Sequence, residues 1–311
     1  MSDEAPVDLQ QKYGADVMDV GSRLQGPAFA KRVAQRDALD QHFTRAWLDY
    51  QIKGLGNRAA LDTRTRLLVL TGQYTMAKAQ PLLDDTLRAA LAAKVDVREL
   101  LEVVLQCLVY GGHVTVEPAI QTFYAIANEH GLLGQIKQTQ LPLNGTDDQR
   151  DRAREQKSWH KNDMADPRTQ PLLDKHGWRA VGRGLTMRPH HHINILEWID
   201  RMDSEFAGLW VRFCYGDMYS RGVLDDKTRL LCMIGDCLAV GEAIQSKGHM
   251  RGAMRQGATP REVMEVIFMT SANFGMPGAW HALERFIEVM SEDGRLAEIG
   301  NPPLRVESYA K

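Results

Sequence analysis

Slid against itself by 163 positions, the chain matches without a gap. Gly14 falls on Gly177, Gly21 on Gly184, Asp37 on Asp200, Phe43 on Phe206 and Trp47 on Trp210. Leu61-Asp62 falls on Leu224-Asp225, Thr65-Arg66-Leu67-Leu68 on Thr228-Arg229-Leu230-Leu231, and Gly72 on Gly235. Further on, Arg98-Glu99 matches Arg261-Glu262, Glu102-Val103 matches Glu265-Val266, and Gly112, Phe123 and Gly131 match Gly275, Phe286 and Gly294. A register this long is a duplicated domain rather than a short solenoid repeat. It divides the chain into copy one (residues 1–133), a connection (134–175) and copy two (176–311). The connection carries the charged run DDQRDRAREQK with Pro142 and Pro167, and reads as a surface linker with one short helix.

Both copies read as helical, and no alternating strand pattern stands out. In copy one, Ala30 to Tyr50 has a continuous helical pattern. Asp62 is placed to cap TRTRLLVLTGQYTMAK, Pro81 suits the first turn of the next helix, and Asp96 with Glu99 predicts a capping box. Gly111-Gly112 predicts a stop, followed by a last helix from Thr115 to Asn128. Copy two repeats this with Asp225, then Glu242 to Gln256, Thr259 to Ser271 and Gly278 to Met290.

Composition narrows the class. Of 311 residues, 44% are hydrophobic and 25% charged, which suits a globular chain with room for two domains. A net charge of −2 leaves no basic footprint for nucleic acid. No apolar run approaches the roughly 18 residues that span a bilayer, so no membrane association is expected. The N-terminal MSDEAPVDLQQKYGADV lacks an apolar core, and a cytoplasmic location is the expectation. Cys107, Cys214, Cys232 and Cys237 form no CxxC pair and read as buried reduced thiols.

Copy two's FCYGDMYSRGVLDDKTRLL, followed by GHMRGAMRQGATPREVMEVIFMTSANFGMPGAWHAL, resembles the carboxymuconolactone decarboxylase family. The resemblance rests on Tyr215-Gly216, Arg221, Leu224-Asp225, Lys227-Thr228-Arg229, His249, Arg251, Gly257, Thr259, Glu262, Glu265, Gly275 and Pro277. Copy one shares Leu61-Asp62, Thr65-Arg66, Glu99, Glu102, Tyr110 and Gly112, but has Thr86 in place of the histidine and Val114 in place of the proline. The family's redox branch carries CxxCxxxH. Here Glu242 and Gln245 occupy the cysteine positions before His249, so a thiol peroxidase is not expected. The resemblance implies an all-α fold in two tandem copies and a cofactor-independent decarboxylase, or related lyase or isomerase, acting on a small unsaturated lactone or aromatic carboxylate. It also implies a homotrimer in which three fused pairs form a pseudo-hexamer.

The candidate site follows. His249 is the expected proton donor, since loss of CO₂ leaves a carbanion or enolate that must be protonated. Gly252 and Ala253, one turn on, leave space beside it. His281, in the first turn of the last helix, and Glu242, two turns from His249, are the other catalytic candidates. The expected substrate contacts are His113, Gln245, Asn273, Tyr215, Trp280, His191 and Arg229. Arg229 suits a bidentate grip on a carboxylate, although its repetition as Arg66 points first to a structural salt bridge. His190-His191-His192 cannot all face one ion, and no metal site is expected; the loop reads as lining a pocket mouth. The alternative is a non-catalytic small-molecule-binding or assembly subunit. Convergence of His249, His113 and His281 on one enclosed pocket favours the enzyme, and scattered histidines favour the binding protein.

Overall fold

The computed structural model describes residues 8–137 and 149–303. Met1–Val7 of the N-terminal stretch and Pro142 of the connection lie outside these residues. Among the described residues the fold is all-α, with no β-strand. The 163-residue offset recurs in the helices themselves. Thr63–Met76 and Gln80–Ala92 in copy one correspond residue for residue to Asp226–Ala239 and Ala243–Arg255 in copy two. Val97–Gln106 and Pro260–Phe274 begin at matched positions, and the chain then turns at Gly112 (φ 66°), within Leu108–Glu129, and at Gly275 (φ 95°), between Pro260–Phe274 and Met276–Glu292. Left-handed φ at these two positions is why glycine recurs there.

Each start has a visible cause. Asp62 accepts from Thr65 N at 2.7 Å and Asp225 from Thr228 N at 2.9 Å. Thr259 and Glu262 close the full reciprocal box. In copy one the box is only half formed: Asp96 caps Arg98 N, but Glu99 turns away to pair with Arg64. The pattern from Ala30 to Tyr50 is also not one helix. Asp40 breaks it by capping Gln41–Trp47, and the chain then widens into a π-helical stretch, Leu48–Gly56. Copy two repeats the break at Asp203 and the π stretch at Arg212–Met218.

One hydrophobic core runs through both copies. Its centre is the crossing of Thr63–Met76 and Asp226–Ala239, where Gly72 and Gly235 let the helices touch. A Cβ on Gly72 would lie 2.0 Å from Asp236 Oδ1. Flanking the crossing are two matched ion-pair clamps that exchange partners between copies. Arg229 donates to Glu102 at 3.0 Å with Arg221 beside it; Arg66 donates to Glu265 at 2.9 Å with Arg58 beside it. The capping acids are tied in the same matched way, Glu99 to Arg64 and Glu262 to Lys227.

The connection is more than a surface strap. It contains the helices Gln149–Gln156, Lys161–Ala165 and Thr169–His176. Trp159 is buried and stacks on Trp178 at 5.2 Å, and Glu155 pairs with the buried Arg183. Its charged run therefore hides an anchored aromatic that composition alone does not flag. No single helix among the described residues is long and apolar enough to cross a membrane.

Candidate active site

His249 is completely buried in Ala243–Arg255, and both of its ring nitrogens are engaged. Nδ1 lies 3.3 Å from the carbonyl of Met187. A carbonyl only accepts, so this nitrogen carries the proton. In the neutral ring Nε2 is then an acceptor, and it takes the hydroxyl of Tyr110. Burial, and then the charge of Arg188, hold the His249 pKa well below its usual 6.5, which agrees with a neutral ring. The only N–H of this imidazole points at backbone, so its proton is not presented to a ligand. Gly252 also serves a purpose other than ligand space: a Cβ there would come within 2.8 Å of the Met187 carbonyl that fixes the ring.

Tyr110 comes from copy one. It lies in the first turns of Leu108–Glu129, just before the Gly112 bend, and crosses the core to meet His249 edge-on with ring centroids 5.6 Å apart. Burial drives its pKa well above 10. Arg188 closes the group. It follows Trp178–Met187, and its guanidinium is nearly buried, donating to Gln245 Oε1 at 2.9 Å and sharing a hydrogen bond with Tyr215. Among the described residues no carboxylate pairs with it, and its Nε has no partner. A buried cation held only by neutral groups is expensive unless an anion joins it.

The remaining wall is aromatic. The π stretch Arg212–Met218 and the residue after it turn Tyr215 and Tyr219 inward, with Tyr219 N bonding to Cys214 O at 3.0 Å. Tyr215 packs against Tyr219 at 5.5 Å, Trp210 at 5.6 Å and His192 at 4.6 Å. Among the described residues, the hydroxyl of Tyr219 and both nitrogens of His192 are buried without partners. Burial and Arg188 lower the His192 pKa to about 3, so it packs as a neutral ring where copy one has Phe29.

Of the candidates read from the sequence, His249, Gln245 and Tyr215 meet here. The others do not. His113 and His281 have side chains 77% and 73% exposed and sit beside Glu117 and Glu284. Trp280 is 48% exposed, next to His281. The three histidines therefore fail to converge within the chain. Arg229 is committed to Glu102 and Gln106 in the clamp. Glu242 is an exposed residue at the start of its helix rather than part of the same face as His249. His191 accepts from Arg251 at 3.3 Å, and burial with Arg251 lowers its pKa to about 4. His190 turns instead to the connection, its N–H donating to Asp163 at 2.6 Å.

Asn273 lies in the sister pocket. There Tyr74 donates to its Oδ1 at 3.0 Å and Gln51 at 3.3 Å. The reason is the exchange between copies: the residue two before each glycine turn packs on the other copy. Tyr110 therefore meets His249, and Asn273 meets Gln51, Gln73 and Tyr74. Sequence reading missed Tyr110 and Arg188. A signal for both exists in the differences at the repeat offset, where Tyr110 stands against Asn273 and Arg188 against Gln25. Among the described residues no group of three or more His, Cys, Asp or Glu side chains could hold a metal.

Residues 204–288 match the model of the carboxymuconolactone decarboxylase family. Over 104 residues the chain is 31% identical to the 4-carboxymuconolactone decarboxylase of Acinetobacter baylyi, covering 33% of this chain and 78% of that protein. It is 40% identical over 78 residues to an uncharacterized 15.0 kDa protein of Paracoccus denitrificans, covering 24% of this chain and 58% of that protein. His249, Gln245 and Tyr215 lie within the family match, whereas Tyr110 and Arg188 lie outside it.

Proposed function

We propose that this chain, which belongs to the carboxymuconolactone decarboxylase family, is a cofactor-independent carboxy-lyase or related isomerase for a small, planar, unsaturated or aromatic carboxylate. The observation that carries the reading is the buried guanidinium of Arg188, without a carboxylate partner, beside the Tyr110–His249 pair. Arg188 binds an oxyanion of the substrate, and Tyr215 and Tyr219 flank its planar body. The C–COO⁻ bond breaks, CO₂ leaves, and the electron pair moves into the conjugated system. The hydroxyl of Tyr110 then rotates off His249 Nε2 and protonates the carbon. The phenolate left behind lies in the field of Arg188 and regains its proton from water. His249 acts as a positioning residue, its orientation fixed by Met187 and the tyrosine hydroxyl in turn by its Nε2.

The test is CO₂ release and loss of ultraviolet absorbance across a panel of unsaturated lactones, muconate-type acids and aromatic carboxylates. Tyr110→Phe and His249→Ala are run beside the parent. Unchanged turnover in folded Tyr110→Phe would sink the reading.

A second reading, a non-catalytic binding or assembly subunit, is favoured by the scattering of His113 and His281. It expects Arg188-dependent binding of carboxylates with no turnover of any panel member. For assembly we propose a homotrimer. Support comes from large apolar side chains exposed at matched positions in both copies: Leu39 with Met202, Phe43 with Phe206, and Tyr50 with Phe213. Sedimentation should give the mass of three chains, and Phe43→Glu with Phe206→Glu should give one.

A further inference from the structure

A positively biased cleft lies away from the site, where the connection packs on copy two. It has a volume of about 430 Å³. One wall is Lys157, His160, Lys161 and Met164 of the connection. The other is Met254 and Arg255 at the end of one helix and Glu292, Asp293 and Arg295 after another.

Charge accounting shows what is open. Glu292 and Asp293 are taken by Arg251, at 2.5 and 2.9 Å, and Glu292 also by Lys247 at 3.0 Å. Arg295 is taken by Glu298. Arg255 donates to the carbonyls of Ser158 and Trp159 at 2.7 and 2.6 Å, which orient it without neutralising it. Lys157 and Lys161 have no carboxylate within ion-pair distance among the described residues. The uncompensated charge of the cleft is therefore that of three cations. Trp159, which also lines it, is 2% exposed, and its indole N–H has no acceptor. Uncompensated cations in a cleft call for acceptor oxygens. Met164 and Met254 provide apolar contact next to them, and the volume falls in the range of small-molecule sites.

We propose that this cleft binds a small organic oxyanion, a carboxylate or phosphate ester with a compact apolar body, at a site separate from His249. The charged end meets Lys157, Lys161 and Arg255, and the body lies against Met164 and Met254. This assignment does not depend on the activity proposed above.

The experiment is calorimetric titration of the full chain carrying Arg188→Met, which silences the site near His249, at low ionic strength, with benzoate and with inorganic phosphate. Saturable benzoate binding is expected, tighter than phosphate, with both weakened at least tenfold in Lys157→Glu/Lys161→Glu. Both lysines are exposed, so this variant keeps the fold. Benzoate binding that survives the double variant unchanged would lie outside the cleft and overturn the proposal. So would the absence of saturable binding, or phosphate binding without benzoate binding.

Discussion

Two clusters related by the 163-residue offset are built on the same helices and differ in whether their polar groups are satisfied. Around Asn273 the groups close on one another. Tyr74 and Gln51 donate to Asn273, Asn273 donates to Gln73 at 3.2 Å, and Gln73 donates to Thr270 at 3.1 Å. The free space there is about 40 Å³. Thr86, at the His249 position, is the exception, its hydroxyl buried without a partner. Around His249, among the described residues, a guanidinium lacks an anion, and the Tyr219 hydroxyl and His192 lack partners. A pocket kept only for the fold has reason to satisfy its polar groups internally; one kept for a ligand has reason to leave some open. The two clusters therefore differ in the polar groups left open: mainly Thr86 in copy one, and Arg188, Tyr219 and His192 in copy two.

The largest effects should separate the pockets in rate. Tyr110→Phe and His249→Ala should each lower kcat by roughly 10²- to 10⁴-fold. His249→Gln, which keeps an acceptor for the tyrosine, should recover part of the loss. Asn273→Leu should stay within about twofold, and an equal loss there would break the comparison.

Next come the clamps, where the copies should behave alike. Arg229→Ala and Arg66→Ala each strand a buried glutamate and should cost about 3–5 kcal/mol in urea unfolding. A large difference between them would show that the two halves do not share one stability plan.

Asp236 stands where copy one has Gln73, and burial raises its pKa to about 7. Its folded pKa exceeds its unfolded one, so its contribution is full below about pH 4 and is lost as pH rises towards 7. The difference in unfolding free energy between parent and Asp236→Asn should therefore drift against the parent by up to about 4 kcal/mol across that window. A flat difference would mean that the carboxyl is already solvated.

A smaller effect belongs to Arg188→Met, which removes charge-assisted bonds worth about 1.5–3 kcal/mol and should raise KM roughly 10- to 100-fold. Gln25→Met, its counterpart, should leave KM alone. Least of all, His113→Ala and His281→Ala should change unfolding by less than about 0.5 kcal/mol and turnover by less than about twofold. A hundredfold loss in either would show that another chain completes the site.

Much of the fold was legible because its signals are local. Asp62, Asp225 and Thr259 cap helices that begin where their side chains demand, and Gly112 and Gly275 bend where only glycine is unstrained. The misreadings came where a distant partner outbid a local one. Glu99 left its capping box for Arg64, and Trp159 turned a charged linker into part of the core. In the site, His249, Gln245 and Tyr215 were legible from copy two alone. Asn273 was misplaced because proximity in sequence suggested a contact that the exchange between copies reverses.

By itself the sequence determined a duplicated helical unit, its caps and bends, and the loss of the histidine from copy one, since these rest on residue type and spacing. Only the tertiary structure decided which tyrosine meets that histidine. The Gly72–Gly235 crossing brings the copies face to face, so each pocket takes a side chain from the other half of the chain. It also decided that Arg188 is buried without an anion, because burial and pairing are properties of the packed core and have no period in the sequence.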